Sequence, residues 1–110
     1  MLLVRKQDGF PIGHAGLVPQ IVEDRDESEM GYWIAQSYWG HGYAFEAACA
    51  CRDFGFQRLH KERLVSIINF ENTGSKKVAL KTGLTFEREV NFHSNNVALY
   101  SIDRDNFMKR

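Results

Sequence analysis

Apolar segments in the first third of the chain are short and broken by glycines and polar turns, the pattern of strands. Residues 1–5 predict a short strand ending at the turn Gln7-Asp8-Gly9-Phe10, because Asp-Gly tolerates the positive φ of a tight hairpin. Residues 12–18 predict a second strand, in which Gly13 and Gly16 permit close backbone approach. The run Glu23-Asp24-Arg25-Asp26-Glu27-Ser28-Glu29 predicts a solvated loop. Met30-Gly31-Tyr32-Trp33-Ile34-Ala35, rich in aromatic and β-branched side chains, predicts a third strand. From there the period lengthens. After the turn Ser37-Tyr38-Trp39-Gly40-His41-Gly42, residues Ala44, Ala47, Ala48, Cys51, Phe54 and Gly55 recur at helical spacing. They predict a helix over 43–58 whose small-residue face lies close to a sheet. Leu64-Val65-Ser66-Ile67-Ile68 predicts a buried central strand. Asn72 caps a second predicted helix running to Lys81, with Gly83 at its C-terminal cap. Residues 85–90 and 96–102 predict two closing strands around the polar turn Phe92-His93-Ser94-Asn95. The order strand, strand, strand, helix, strand, helix, strand, strand predicts an α/β fold, a mixed sheet with helices packed on it.

Composition narrows the function classes. A chain of 110 residues suits a single domain, residues 1–110, with a modest core. Fourteen basic residues balance 14 acidic ones, so no nucleic-acid footprint is expected. No apolar run approaches the roughly 18 residues of a membrane span, so no membrane is expected either. The first residues turn polar too soon for a signal peptide, which points to the cytoplasm. Cys49 and Cys51 agree with that placement: two residues apart on a helix they face different ways, which suits neither a disulfide nor a shared metal. His14, His60 and His93 lack metal-ligand spacing, so no metal is expected.

The strand-turn-helix around Trp39-Gly40-His41-Gly42-Tyr43-Ala44 carries the chemistry. A helix N-terminus exposes unpaired N–H groups and the positive end of the helix dipole, which together hold phosphates. Gly40 and Gly42 remove side chains from that approach, although a bare Gly-x-Gly is also an ordinary tight turn. Phe45 stands where a dinucleotide fingerprint needs its third glycine, and no Gly-Lys-Ser/Thr of a P-loop follows.

In that context Gly31-Tyr32-Trp33-Ile34, followed by Tyr38-Trp39-Gly40-His41-Gly42-Tyr43-Ala44-Phe45-Glu46-Ala47, resembles the pyrophosphate loop of the GNAT acetyltransferases. The likeness is to the ribosomal-protein N-terminal acetyltransferase (RimJ/RimL-like) branch, with Trp39 in place of the usual Gln or Arg. A second block, from Asn69 through Glu71-Asn72 and Ser75 to Lys81-Thr82-Gly83-Leu84, resembles the family's Glu-Asn-x-x-Ser…Lys-x-Gly-Phe at the family's spacing. The resemblance runs from about residue 2 to residue 103. It implies the GNAT acyl-CoA N-acyltransferase fold, N-terminally shortened, because family members begin with another strand and two helices that wall the acceptor groove.

The resemblance also implies acetyl-CoA as co-substrate and a primary amine as acceptor. Backbone groups of Ile34 and Ala35 would hold the pantetheine arm. Trp39, Gly40, His41, Gly42, Tyr43, Ala44 and Phe45 would hold the pyrophosphate, and Asn72 would reach the arm from the second helix. The family's tyrosine acid is replaced by Ala79. Ser75 is then the candidate proton donor to the leaving thiolate, or a helix-start hydroxyl bonded to backbone. Glu29 is the candidate base, or one more charge of the acidic run. An α-amine, with a pKa near ~8 against ~10.4 for lysine, asks less of such a base, which favours a protein N-terminus or a small amine. Lys76, Lys77 and Lys81 either meet the 3′-phosphate of CoA or form a solvated face. A catalytically impaired acyl-CoA-binding or regulatory module is the alternative. With the first strand as an uncovered edge beside apolar surface, a homodimer is expected.

Overall fold

The computed structural model describes residues 2–4, 9, 11–36 and 39–109. Strands β1 (Leu2–Val4), β2 (Pro11–Val22) and β3 (Arg25–Ile34) form an antiparallel meander. Helix α1 (Tyr43–Asp53), strand β4 (Arg63–Ile68), helix α2 (Thr73–Lys81), strands β5 (Thr85–Phe92) and β6 (Asn95–Asp103) and a short α3 (Arg104–Met108) follow. The sheet order is β1-β2-β3-β4-β6-β5, with β3 and β4 the parallel pair. This is the mixed sheet the sequence predicts. Gln7, Asp8 and Phe10 of the first turn, and Ser37 and Tyr38 of the second, lie outside the described residues. Among the described residues no helix is long and apolar enough to cross a membrane.

The helices share one face. Ala47, Ala48 and Cys51 of α1, Ala79 of α2 and Phe107 of α3 pack with Ala15, Met30, Ile34, Leu64, Ile68, Ala98, Tyr100 and Ile102 of the sheet. Side chains of α1 beyond Cβ would hold it off the strands; small ones let it sit close. After Asp53 the helix widens to a π-helical turn over Phe54–Arg58, closed by Leu59 N–H donating to the Phe54 carbonyl at 3.1 Å. A wider turn carries more residues, so the buried face slips forward. Phe56 is buried at 1% exposure and stacks on Phe107, whereas Phe54, expected on the inner face, is 43% exposed. Burying Phe56 contributes on the order of 2–3 kcal/mol. Gly55 allows the approach: a Cβ there would lie 2.9 Å from a methyl of Leu64.

The acidic run is not a loop. Glu23 and Asp24 alone make the turn, with φ of 47° and 68°, and the rest is β3. The left-handed pair matches strand twist, and aspartate, here Asp24, adopts that conformation more readily than most residues. The hairpin end arches over the sheet face opposite the helices, where Val22 packs with Val65, Val90, Val97 and Leu99. Ion pairs fasten it. Arg63 binds Glu27 through two nitrogens, at 3.0 and 2.9 Å, and Glu87 at 2.6 Å. Glu23 pairs with Arg88 and accepts from the Asn91 N–H at 3.0 Å. The β5–β6 turn is likewise two residues, His93 and Ser94, at φ 51° and 66°, so both strands run longer than their apolar cores. α3 has no counterpart among the predicted elements.

Candidate active site

A groove of about 570 Å³ opens where β3 parts from β4, walled by the start of α1 and one side of α2. The two strands are in register at a single pair, Glu29 and Val65. Beyond it β3 runs on beside β2 alone. Ala35 N–H donates to the Ile12 carbonyl at 2.8 Å, which opposes Ile12 to Ala35 as a bonded pair. Backbone groups alternate along an antiparallel ladder, so the N–H and C=O of Ile34 face the other way, toward the gap. Trp39 Nε1 donates to that Ile34 carbonyl at 2.8 Å and ties the glycine turn to the strand. Ile34 therefore offers the gap its N–H, while Ala35, expected as a second backbone donor, is spent on β2 and does not line the groove.

The turn enters α1 through left-handed backbone at Gly40 (φ 85°) and at the N-cap Gly42 (φ 79°). A Cβ at either would meet nothing within 4 Å, so backbone angle demands these glycines. The first described bond into the helix is Glu46 N–H to the Gly42 carbonyl, so the N–H groups of Ala44 and Phe45, in the first turn, have no carbonyl of the helix behind them to bond. Trp39, Gly40, Gly42, Tyr43, Ala44 and Phe45 all line the groove. His41 does not; its ring stacks on Tyr43 at 5.7 Å.

Asn72 and Ser75 line the opposite wall. The Asn72 amide oxygen accepts from Ser75 N–H at 3.0 Å, capping α2 as the sequence predicts. Among the described residues the Ser75 hydroxyl makes no hydrogen bond; its bond to the cap is made by its backbone N–H. Lys77 and Lys81, one turn apart, also line the groove and add positive charge opposite the N–H groups of Ala44 and Phe45. Lys76 points elsewhere, over the Phe70 ring at 5.4 Å. At its far end α2 closes with Gly83 N–H to Leu80 and Leu84 N–H to Ala79, the two bonds of a Schellman cap.

Glu29 lies outside the groove. It shares its sheet face with its register partner Val65, opposite α1 and α2, at the pair beyond which β3 leaves β4. Its Oε1 accepts from Gln20 Nε2 at 3.0 Å. Below it, Arg63 holds the Glu87 carboxyl down at about 2, and its carboxylate partners Glu27 and Glu87 raise the guanidinium's own pKa. Tyr32 and Trp33 line the groove without having been singled out, although both stand in the Gly-Tyr-Trp-Ile stretch. Burial pushes the Tyr32 phenol and the Cys51 thiol up. Cys51 is buried and Cys49 half-buried, neither of them in a disulfide, and no group of side chains that could hold a metal occurs among the described residues.

The chain is 36% identical over 95 residues to the uncharacterized protein YkkB of Bacillus subtilis (strain 168), covering 86% of this chain and 55% of that one. It is 32% identical over 87 residues to the uncharacterized N-acetyltransferase p20 of Bacillus licheniformis, covering 79% and 47%. The chain thus spans about half the length of the curated relatives it matches. Among solved structures, the acetyltransferase from Agrobacterium tumefaciens str. C58 superposes with a TM-score of 0.78 at 28% identity, over 92% of this chain and 58% of that one. The family model described as "Acetyltransferase (GNAT) domain" matches residues 1–85, a span that includes the groove from β3 to the end of α2. With more than half of its length inside that match, the chain belongs to the GNAT acetyltransferase family.

Proposed function

We propose that the chain is an acetyl-CoA-dependent N-acetyltransferase of the cytoplasm that acetylates a primary amine, a protein N-terminal α-amine or a small amine. The observation that carries this is the groove in which the first-turn N–H groups of Ala44 and Phe45, the outward N–H of Ile34 and the Ser75 hydroxyl, which makes no hydrogen bond among the described residues, converge. The α1 N-terminus, with Lys77 and Lys81 across from it, suits a pyrophosphate with a further phosphate. The edge of β3 suits an extended amide-bearing arm laid alongside it as an added strand. Acetyl-CoA supplies an acyl group on sulfur. Ile34 N–H stabilises negative charge developing on the thioester oxygen. Ser75 Oγ donates a hydrogen bond to the departing sulfur and passes it a proton. Glu29, on the other sheet face, takes one proton from the acceptor ammonium, whose nitrogen then forms the C–N bond as the C–S bond breaks; the second proton that nitrogen sheds in becoming the amide returns through solvent to Ser75 Oγ, which gave its own to the sulfur.

No observation favours the non-catalytic module. The same reading includes self-association through β1, an edge strand whose Leu2 and Val4 are 64% and 47% exposed. Isothermal titration tests the cofactor half. Acetyl-CoA is expected to saturate one site per chain, with S-acetylpantetheine at least tenfold weaker because it lacks the pyrophosphate. Equal affinity for the two ligands would leave the α1 N-terminus without its assigned role.

A further inference from the structure

We infer that Gln20 is a positioning residue for the acceptor side of the reaction, holding one oxygen of Glu29 with a neutral donor so that the other is left to receive the amine proton. The inference rests on the proposed role of Glu29 as base. Glu29 is the carboxylate nearest the point where β3 leaves β4. The cation closest to it in the sheet is already committed: Arg63 gives Nε and Nη2 to Glu27 and Nη1 to Glu87. No ion pair of Glu29 occurs among the described residues, and its side-chain partner is the Gln20 amide at 3.0 Å. Gln20 reaches it diagonally, since its own register partner in the hairpin is Glu27. A carboxylate locked to a guanidinium would be a poor proton acceptor, because protonation would sacrifice the pair. An amide donor fixes direction without that penalty. In the step itself one N–H bond of the acceptor ammonium breaks, an O–H bond forms at Glu29 Oε2, and the amine nitrogen keeps the electron pair for attack.

Gln20→Lys separates this role from a structural one. A lysine there gives Glu29 an opposite charge, which the fold tolerates, so Tm should be unchanged or higher. It should nevertheless lower kcat at least tenfold, with the KM for acetyl-CoA unchanged. Gln20→Leu should lower kcat severalfold, and in a Glu29→Gln background neither change should lower it further. The substrate is whichever member of a panel of primary amines and free-α-amine peptides the unaltered chain turns over fastest. If Glu29→Gln lowers kcat and both Gln20 variants leave it intact, Gln20 has no positioning role. If Glu29→Gln itself leaves kcat intact, the base assignment fails and takes this inference with it. No turnover of any panel member overturns the acetyltransferase reading as well.

Discussion

Replacing Gly42 by valine probes the link from backbone angle to phosphate binding. Gly42 is the N-cap of α1 at φ 79°, and a Cβ there meets nothing within 4 Å, so the ligand-free chain resists valine through φ alone. Holding a non-glycine residue in the left-handed region costs about 1–2 kcal/mol, and a β-branched residue is a sharper outlier. The chain escapes that cost by rotating the cap, which turns the Tyr43, Ala44 and Phe45 N–H groups away from the groove. At ~1.4 kcal/mol per decade, acetyl-CoA affinity should fall roughly five- to thirtyfold, and further where the isopropyl group meets the pyrophosphate. Isothermal titration reads it directly. Gly42→Asn separates the two causes, because asparagine adopts left-handed backbone more readily. If angle dominates, the asparagine variant retains most of the affinity; if bulk dominates, it falls as far as valine. Gly16→Ala is the control: its Cβ also meets nothing, but it lies on β2 outside the groove, and affinity should not change. Unaltered affinity in Gly42→Val would refute the assignment of this turn to phosphate binding.

Ser75→Ala should lower kcat and kcat/KM together while acetyl-CoA affinity stays within twofold or so; a rise in KM alone would make Ser75 a cofactor contact. Arg63→Met strands Glu27, which is 7% exposed, and should cost about 3 kcal/mol in urea unfolding, the low end for such a loss because Arg63 is itself 26% exposed. A loss below about 0.5 kcal/mol would show that the hairpin arch needs no ionic fastening. Arg63 holds the Glu87 carboxyl at about 2, below its ordinary 4.5, so this group contributes stability above about 4.5 that is lost as pH falls toward 2. Thermal unfolding across that window should be less steep with pH in the Arg63→Met variant, and an identical slope would contradict the pairing. Sedimentation equilibrium at micromolar concentration should find a dimer; a stable monomer would show that β1 needs no partner.

The core elements were legible because each carried a local signal. Asn72 and Gly83 bracket α2, and the apolar run at 64–68 is the central strand. What escaped depends on tertiary context. The acidic run looks like a solvated loop, yet Glu27 is buried because Arg63, 36 residues away, supplies both of its partners. Helical spacing put Phe54 inward, and the π-helical turn, held in place by the stack of Phe56 on Phe107, moved that role two residues on. In the site, the glycine turn without His41 lines the same groove as Asn72 and Ser75. Which backbone groups face the gap did not follow from the sequence, because it depends on ladder phase: Ile34 faces it and Ala35 does not. The partner of Glu29 depends on register across the β2–β3 hairpin and those of Arg63 on how β3, β4 and β5 come together in the sheet, which no local pattern encodes.

Amine-dependent thiol release from acetyl-CoA is the reaction by which acetyl transfer by this chain would be seen. Release is followed with a thiol-reactive dye over primary amines and free-α-amine peptides, and the acylated product is weighed by mass spectrometry. The account predicts release that requires both protein and amine and is matched mole for mole by acetylated amine. Saturable binding of acetyl-CoA with no release above the protein-free rate for any acceptor would contradict it.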